Sequence, residues 1–305
     1  MSRVAAIDLG TNTVRILVAD ANGEGGYSPL FSSQIVTRLG QRLHETGSLA
    51  PEAIKRTTEG IAKLIKRAVS FAPFSLSITA TSAGREADNT GTLDAMIRAA
   101  TGHGVKIISG DEEARLSLKG VLLAIEEDDF ILIDIGGGST EFILGKDGSP
   151  VKVYNTNLGV VRLAETYLTK HPVIEKEYDN MISEIDRVVD EAFNHLRDGE
   201  EYILVGTAGT ITSLAAIAQD MADYSPARIN NFKLTDEMVE SSRLKLSMMT
   251  IEQRSRIPVL QDGREDLIIP GLAIVQSVIK RFGSSQMVVS DYGLREGLIM
   301  ELMEK

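Results

Sequence analysis

Asp8-Leu9-Gly10-Thr11-Asn12-Thr13, preceded by the apolar run Ala5-Ala6-Ile7, is nearly repeated as Asp134-Ile135-Gly136-Gly137-Gly138-Ser139-Thr140, preceded by Phe130-Ile131-Leu132-Ile133. A second apolar run follows each at once: Val14-Arg15-Ile16-Leu17-Val18 and Phe142-Ile143-Leu144. Strand, small-residue turn, strand reads as a β-hairpin whose tip needs unusual backbone angles or a close approach to something. Small residues there leave backbone N–H groups and hydroxyls facing outward, a concavity suited to phosphate oxygens. The aspartate before each turn, Asp8 or Asp134, is placed to hold a metal or a metal-bound water beside that phosphate. A single copy is an ordinary tight turn. Two copies in the same order point to two related domains closing on one phosphate chain.

Composition narrows the class. At 305 residues, two domains are expected, each large enough for its own core. A hydrophobic content of 43% with 25% charged residues is that of a globular protein. There are no cysteines, which excludes disulfides and thiolate metal sites, and His44, His103, His171 and His195 have no ligand-like spacing. The N-terminus lacks the apolar stretch of a signal peptide, and the best apolar run, Leu267 to Ile279, is broken by Pro270, Gly271 and Gln276. No membrane association and a cytoplasmic location are therefore expected. Net charge of −11 argues against nucleic acid as partner, and implies that a polyphosphate ligand would come with a divalent cation.

In chain order the first half reads as the hairpin, a strand at Ser32 to Arg38 and a helix at Pro51 to Ala68. A strand at Leu76 to Thr81, a helix at Gly91 to Ala100, a strand at Val105 to Ile108 and a helix from Gly110 follow. The second half repeats the order, with a strand at Val151 to Tyr154 and helices at Val161 to Tyr167 and Glu177 to Leu196. A strand at Glu201 to Val205, helices at Ile211 to Ala218, Thr235 to Lys245 and Leu267 to Phe282, a strand at Met287 to Ser290 and a helix from Leu294 complete it. This alternation defines α/β layered domains. The exposed turn Glu126-Glu127-Asp128-Asp129 sets the expected division at 1–122 and 123–305.

Three further stretches carry chemistry or structure, and the residues alone leave both open. In Ser109-Gly110-Asp111-Glu112-Glu113, Ser109 and Glu112 have the spacing of a capping box, and acids suit a first helical turn. The alternative is that one glutamate takes a proton from water as it attacks phosphorus. Arg85, in Thr81-Ser82-Ala83-Gly84-Arg85, is a solvated loop charge or a phosphate grip. Gly206-Thr207-Ala208-Gly209-Thr210 is a close-packed glycine turn or an anion site at a helix N-terminus. In Ser290-Asp291-Tyr292-Gly293-Leu294-Arg295-Glu296, Asp291 or Arg295 reaches the cleft, or Arg295 and Glu296 cap and brace the last helix.

These motifs, in this order, resemble the exopolyphosphatase / guanosine pentaphosphate phosphatase (Ppx/GppA) family, within the actin–Hsp70–sugar-kinase fold group. The matching pieces are Ile7 to Thr13, Ala80 to Ala87, Ile108 to Ala114, Asp134 to Glu141, Gly206 to Thr210, Pro270 to Ala273 and Leu294 to Gly297. The resemblance implies two ribonuclease-H-like domains with an interdomain cleft. It implies removal of the terminal phosphate of inorganic polyphosphate, or of guanosine pentaphosphate, with magnesium, manganese being the alternative. By motif match Glu113 is the general base and Arg85 a phosphate clamp. Asp134 and Glu141 are metal-site carboxylates, with Asp8 the third candidate. Gly10, Thr11, Asn12 and Thr13, Gly136, Gly137, Gly138 and Ser139, and Thr207 and Gly209 are the phosphate-binding positions. Gly84 is expected to loosen the segment before Arg85.

The chain resembles a short form of the family without C-terminal helical domains, which leaves little surface for a long polymer. Short chains are then expected to compete well with long ones. Aromatics make up 5% of the chain, and Tyr292 is the one candidate for stacking on guanine, so polyphosphate ranks first as substrate. Rival readings are a polyphosphate or guanosine tetra- and pentaphosphate binding module without turnover, and an ATP-using kinase. A homodimer formed through the second half is compatible with the sequence.

Overall fold

β1 (Arg3–Leu9) is buried along all but its first residue, as a strand covered on both faces must be. It lies at the centre of the first of two sheets in a computed structural model that describes residues 3–22, 25–260 and 262–304. With β2 (Thr13–Ala21), β3 (Tyr27–Val36), β4 (Ser75–Ala80) and β5 (Val105–Ile107), it forms a five-stranded sheet of order β3-β2-β1-β4-β5. β1, β4 and β5 run parallel, while β2 and β3 extend the sheet antiparallel.

Alternate residues of β1 enter different cores, because side chains on a strand point to opposite faces. Ala5, Ile7 and Leu9 pack with Ile54, Ile61 and Leu64 of the Pro51–Ala68 helix. Val4 and Ala6 pack with Leu116 of the Gly110–Val121 helix and with Leu294, Leu298 and Ile299 of the Leu294–Met303 helix. The two helices on this second face touch backbone to backbone. A Cβ on Gly120 would lie 1.9 Å from the Gly293 carbonyl oxygen, and one on Gly297 would lie 1.9 Å from that of Leu116.

The chain therefore divides into a unit of Met1–Leu123 with Gly293–Lys305 and a unit of Ala124–Tyr292. This corrects the expectation that everything from residue 123 onward forms the second domain. The closing helix returns to the first unit because it supplies the apolar cover for one face of that sheet.

The second unit holds a six-stranded sheet of order β10-β11-β9-β6-β7-β8. Its strands are β6 (Phe130–Ile135), β7 (Thr140–Lys146), β8 (Ser149–Thr156), β9 (Ile203–Thr207), β10 (Phe232–Thr235) and β11 (Gln286–Val289). β6, β9 and β11 are parallel, and β7, β8 and β10 antiparallel. The series β8-β7-β6-β9-β11 thus repeats β3-β2-β1-β4-β5. Its core joins Ile131, Ile133 and Ile135 to the Glu175–Leu196, Ala208–Ala218 and Ile268–Arg281 helices. β10, a four-residue edge strand, was not foreseen from the sequence.

Candidate functional site

The two hairpin turns are held by the same devices. In the first, Gly10 N–H donates to Thr13 O at 3.1 Å, and the chain ahead braces the tip: Thr37 and Arg38 N–H both donate to Asn12 O at 2.9 Å. Gly40 N–H donates to Thr11 O at 2.9 Å. In the second, Gly136 N–H donates to Ser139 O at 2.9 Å. The brace there comes from the start of the Val160–Tyr167 helix, where Val160 and Val161 N–H donate to Gly136 O and Gly137 O at 3.2 and 2.9 Å. A glycine sits against each tip. A Cβ on Gly40 would lie 2.3 Å from Thr11 Cγ2, and one on Gly159 2.2 Å from the Gly138 carbonyl carbon. Thr11, Asn12, Thr13 and Ser139 are buried, while Gly10, Gly136, Gly137 and Gly138 are partly exposed.

The hairpins differ in charge. Asp8 pairs in register with Arg15, whose Nη1 lies 3.9 Å from Asp8 Oδ2. At the equivalent step of the second hairpin, Asp134 pairs with Glu141. Both of these carboxylates are buried, at 8% and 2% exposure. Arg15 carries no motif signal of its own; only the register of the hairpin, counted from the turn, brings it to Asp8.

Arg85 and Glu113, two residues with open alternatives in the sequence, meet in the first unit. Arg85 lies not in a loop but in the one-turn helix Ser82–Glu86, which follows β4. Gly84 does not loosen this segment: a Cβ there would lie 2.9 Å from Ala80 Cβ, so it is a close-packing glycine. Arg85 Nη1 donates to Glu113 Oε2 at 2.5 Å and to Ile108 O at 3.1 Å, and neither contact uses Nη2 or Nε. The Glu113 side chain is 9% exposed and that of Arg85 24%.

Glu112 has a different environment. Ser109 Oγ accepts from its N–H at 3.1 Å, which caps the helix as expected. Its carboxylate, however, accepts from Lys106 Nζ at 2.5 Å. The reciprocal half of a capping box gives way here to an ion pair with the neighbouring strand.

Gly206 to Thr210 straddles the end of β9 and the start of the Ala208–Ala218 helix. Gly206 is explained by packing, since a Cβ would lie 2.3 Å from Met287 Sδ. The Thr207 hydroxyl donates to Ser290 O at 3.1 Å and Tyr292 O at 2.7 Å, so its proton is committed within the protein. Ala208 adopts φ 73°, a left-handed conformation that costs a non-glycine residue about 1–3 kcal/mol and concentrates at functional sites. Buried Arg264 donates to Gly209 O at 2.7 Å, placing a cation at this helix start that no sequence signal marked.

At the closing helix, the bracing role belongs to Arg295 and Glu296. Glu296 Oε2 accepts from Gly293 N–H at 2.9 Å, and Arg295 binds Glu296 and Ser32. Asp291 accepts from the Tyr224 hydroxyl.

Among the described residues, no three or more His, Cys, Asp or Glu side chains gather in a metal-like group. Asp8 belongs to one unit and Asp134 and Glu141 to the other. The opposed pair still fits a hard cation: two buried like charges directly across a ladder are unfavourable alone. Magnesium, moreover, is commonly held by one or two carboxylates, several waters and substrate phosphate.

Residues 17–305 match the model of the Ppx/GppA phosphatase family. The chain belongs to this family. It is 31% identical to exopolyphosphatase 2 of Mycobacterium tuberculosis over 316 residues, covering 99% of both chains. A crystal structure of an exopolyphosphatase from Cytophaga hutchinsonii superposes with a TM-score of 0.90 at 26% identity, over 99% of this chain and 98% of that one. The Aquifex aeolicus member of the Ppx/GppA family gives 0.82 at 27% identity, with the same coverages. The two sheets with flanking helices are those of the actin/Hsp70/sugar-kinase fold group. No helix among the described residues is long and apolar enough to cross a membrane.

Proposed function

We propose that the protein is an exopolyphosphatase, releasing orthophosphate from the end of inorganic polyphosphate. Support comes from family membership and above all from one observation: Arg85 and Glu113, 28 residues apart, form a largely buried ion pair. The pair holds the Glu113 carboxylate in place beside a guanidinium that can also bind phosphate oxygens. A terminal phosphate offers Arg85 a second anion, and moving the guanidinium onto it frees Glu113 to accept a proton.

In this reading a water oxygen bonds to the terminal phosphorus and the bridging P–O bond breaks. The bonding pair of that bond leaves with the shortened chain, and the water's proton goes to Glu113 Oε. Each hairpin turn is suited by itself to phosphate oxygens, Gly10 to Thr13 in the first unit and Gly136 to Ser139 in the second. Thr207 and Gly209 add backbone rather than hydroxyl contacts. Asp134 and Glu141 would hold the divalent cation, which when bound supplies charge neutralisation at the phosphate oxygens. Asp8 is assigned to its arginine partner rather than to the metal.

Phosphate release measured side by side on short polyphosphate, long polyphosphate, guanosine pentaphosphate and ATP tests the reading. Release from polyphosphate with the highest kcat/KM is expected. A tenfold or greater preference for guanosine pentaphosphate would replace the substrate, and binding of every ligand without release would replace the activity by a sensor role.

A further inference from the structure

The chain's two longest helices, Pro51–Ala68 and Glu175–Leu196, carry opposite charge. Glu175–Leu196 has seven acids against Lys176 and Arg187, a net of −5. Pro51–Ala68 has Lys55, Arg56, Lys63, Lys66 and Arg67 against Glu52 and Glu59, a net of +3 in a chain of net −11. All five cations are exposed and, at 100° per residue, fall on one face of the helix together with Glu52 and Glu59, so that face carries the net +3. Several cations on other helices pair with carboxylates, Arg98 with Asp94, Arg187 with Glu184 and Glu191, and Arg243 with Glu240. Among the described residues, none of the five on this face forms an ion pair with an acid.

The face is also tied to a candidate phosphate turn. Arg56 Nε donates to Thr37 O at 2.9 Å, and Thr37 N–H donates to Asn12 O in the Gly10–Thr13 turn. From Arg56, Lys63 lies about 10 Å and Arg67 about 16 Å farther along the helix axis. Arg67 binds Ser33, which pairs with Ile16, whereas Val36 pairs with Thr13; the strip therefore runs away from the turn.

We propose that this face is a track for the distal phosphates of a polyphosphate chain whose end is held at the turn. The proposal rests on polyphosphate being the substrate. A polyanion suits such a strip because cations without an ion pair can displace its counterions without first breaking internal ion pairs.

The test compares equilibrium binding of long-chain polyphosphate and tripolyphosphate at low salt, with magnesium present and with Glu113→Gln as the background so that substrate survives. Replacing Lys63, Lys66 and Arg67 together by Gln should lower the long-to-short affinity ratio about tenfold and make long-chain binding less salt-dependent. The charge-preserving set Lys63→Arg, Lys66→Arg and Arg67→Lys should keep the ratio. Lys176→Gln with Arg187→Gln, on the acidic helix, should leave it unchanged. A wild-type ratio in the neutralised variant, or an equal fall in either control, overturns the track. Phosphate release by the protein with Glu113 intact is followed in parallel. Its absence defeats the hydrolase reading alone, because the affinity ratio is read without turnover.

Discussion

In the first hairpin Asp8 faces Arg15 across the β1–β2 pair, whereas at the matching step of the second Asp134 faces Glu141 across β6–β7. The turns have the same length and the same Gly N–H to carbonyl closure, so backbone geometry does not separate them. The partner residue does. The first unit neutralises its acids internally, Asp8 with Arg15 and Glu113 with Arg85. The second sets carboxylate against carboxylate, a juxtaposition of like charges. One repeated hairpin thus carries two different charge patterns, an acid facing an arginine in the first unit and two facing acids in the second.

The largest effect should come from the arginine-bearing unit. Glu113→Gln should lower kcat by about 10²–10⁴-fold with little change in substrate affinity, the usual worth of general base catalysis. Glu112→Gln, which removes only the pair with exposed Lys106, should change kcat less than about threefold. Steady-state kinetics on one polyphosphate length checks both. Equal, small effects would return Glu113 to a structural role.

Next in size is the cation dependence of the second unit. Chelation should abolish activity, with magnesium or manganese restoring it. Asp134→Asn and Glu141→Gln should each raise the magnesium concentration for half-maximal activity by roughly 10-fold or more, as loss of one ligand or its close neighbour does. Asp8→Asn should leave that midpoint nearly in place. A shift as large for Asp8 as for Asp134 would erase the difference between the hairpins.

Much of this frame was legible in residues. Continuous apolar runs before Asp8 and Asp134, each followed by a small-residue turn and a second apolar run, mark both hairpins, and Pro51 at a first helical turn marks the start of its helix. Local signals end where tertiary packing decides. The return of the Leu294–Met303 helix to the first sheet depends on Val4 and Ala6 needing cover, which no local pattern encodes. The Phe232–Thr235 edge strand is too short to show a period. Arg85 and Glu113 were both candidates, but their contact spans elements and only the fold shows it. Arg15 was within reach of simple counting from the turn; Arg264 was not, because its partner Gly209 is 55 residues away.

The glycines that brace the turns sharpen the contrast in a way that does not depend on chemistry. A methyl group on Gly159 would collide with backbone atoms, Gly138 C at 2.2 Å and Gly137 O at 2.3 Å. A methyl group on Gly40 would collide first with Thr11 Cγ2, a side-chain atom that can rotate away. Overpacking costs typically about 1–3 kcal/mol, and Gly159→Ala should lie at or above the top of that range while Gly40→Ala stays near the bottom. Chemical denaturation of the two variants measures the difference.

The smallest effect concerns the charge pairs without any cation. In excess chelator, Glu141→Gln removes a like-charge opposition and should stabilise the protein by roughly 0.2–1 kcal/mol. Arg15→Gln removes the opposite charge that faces Asp8 across the ladder and should destabilise by about the same amount. Saturating magnesium should reverse the first sign, since the native state then loses a bound cation that Glu141 helps to hold, while leaving the second sign unchanged. Thermal melts of both variants, with and without magnesium, give four numbers. A Glu141→Gln shift of one sign under both conditions would mean that the carboxylate pair does not hold a cation, however similar the two hairpins remain in shape.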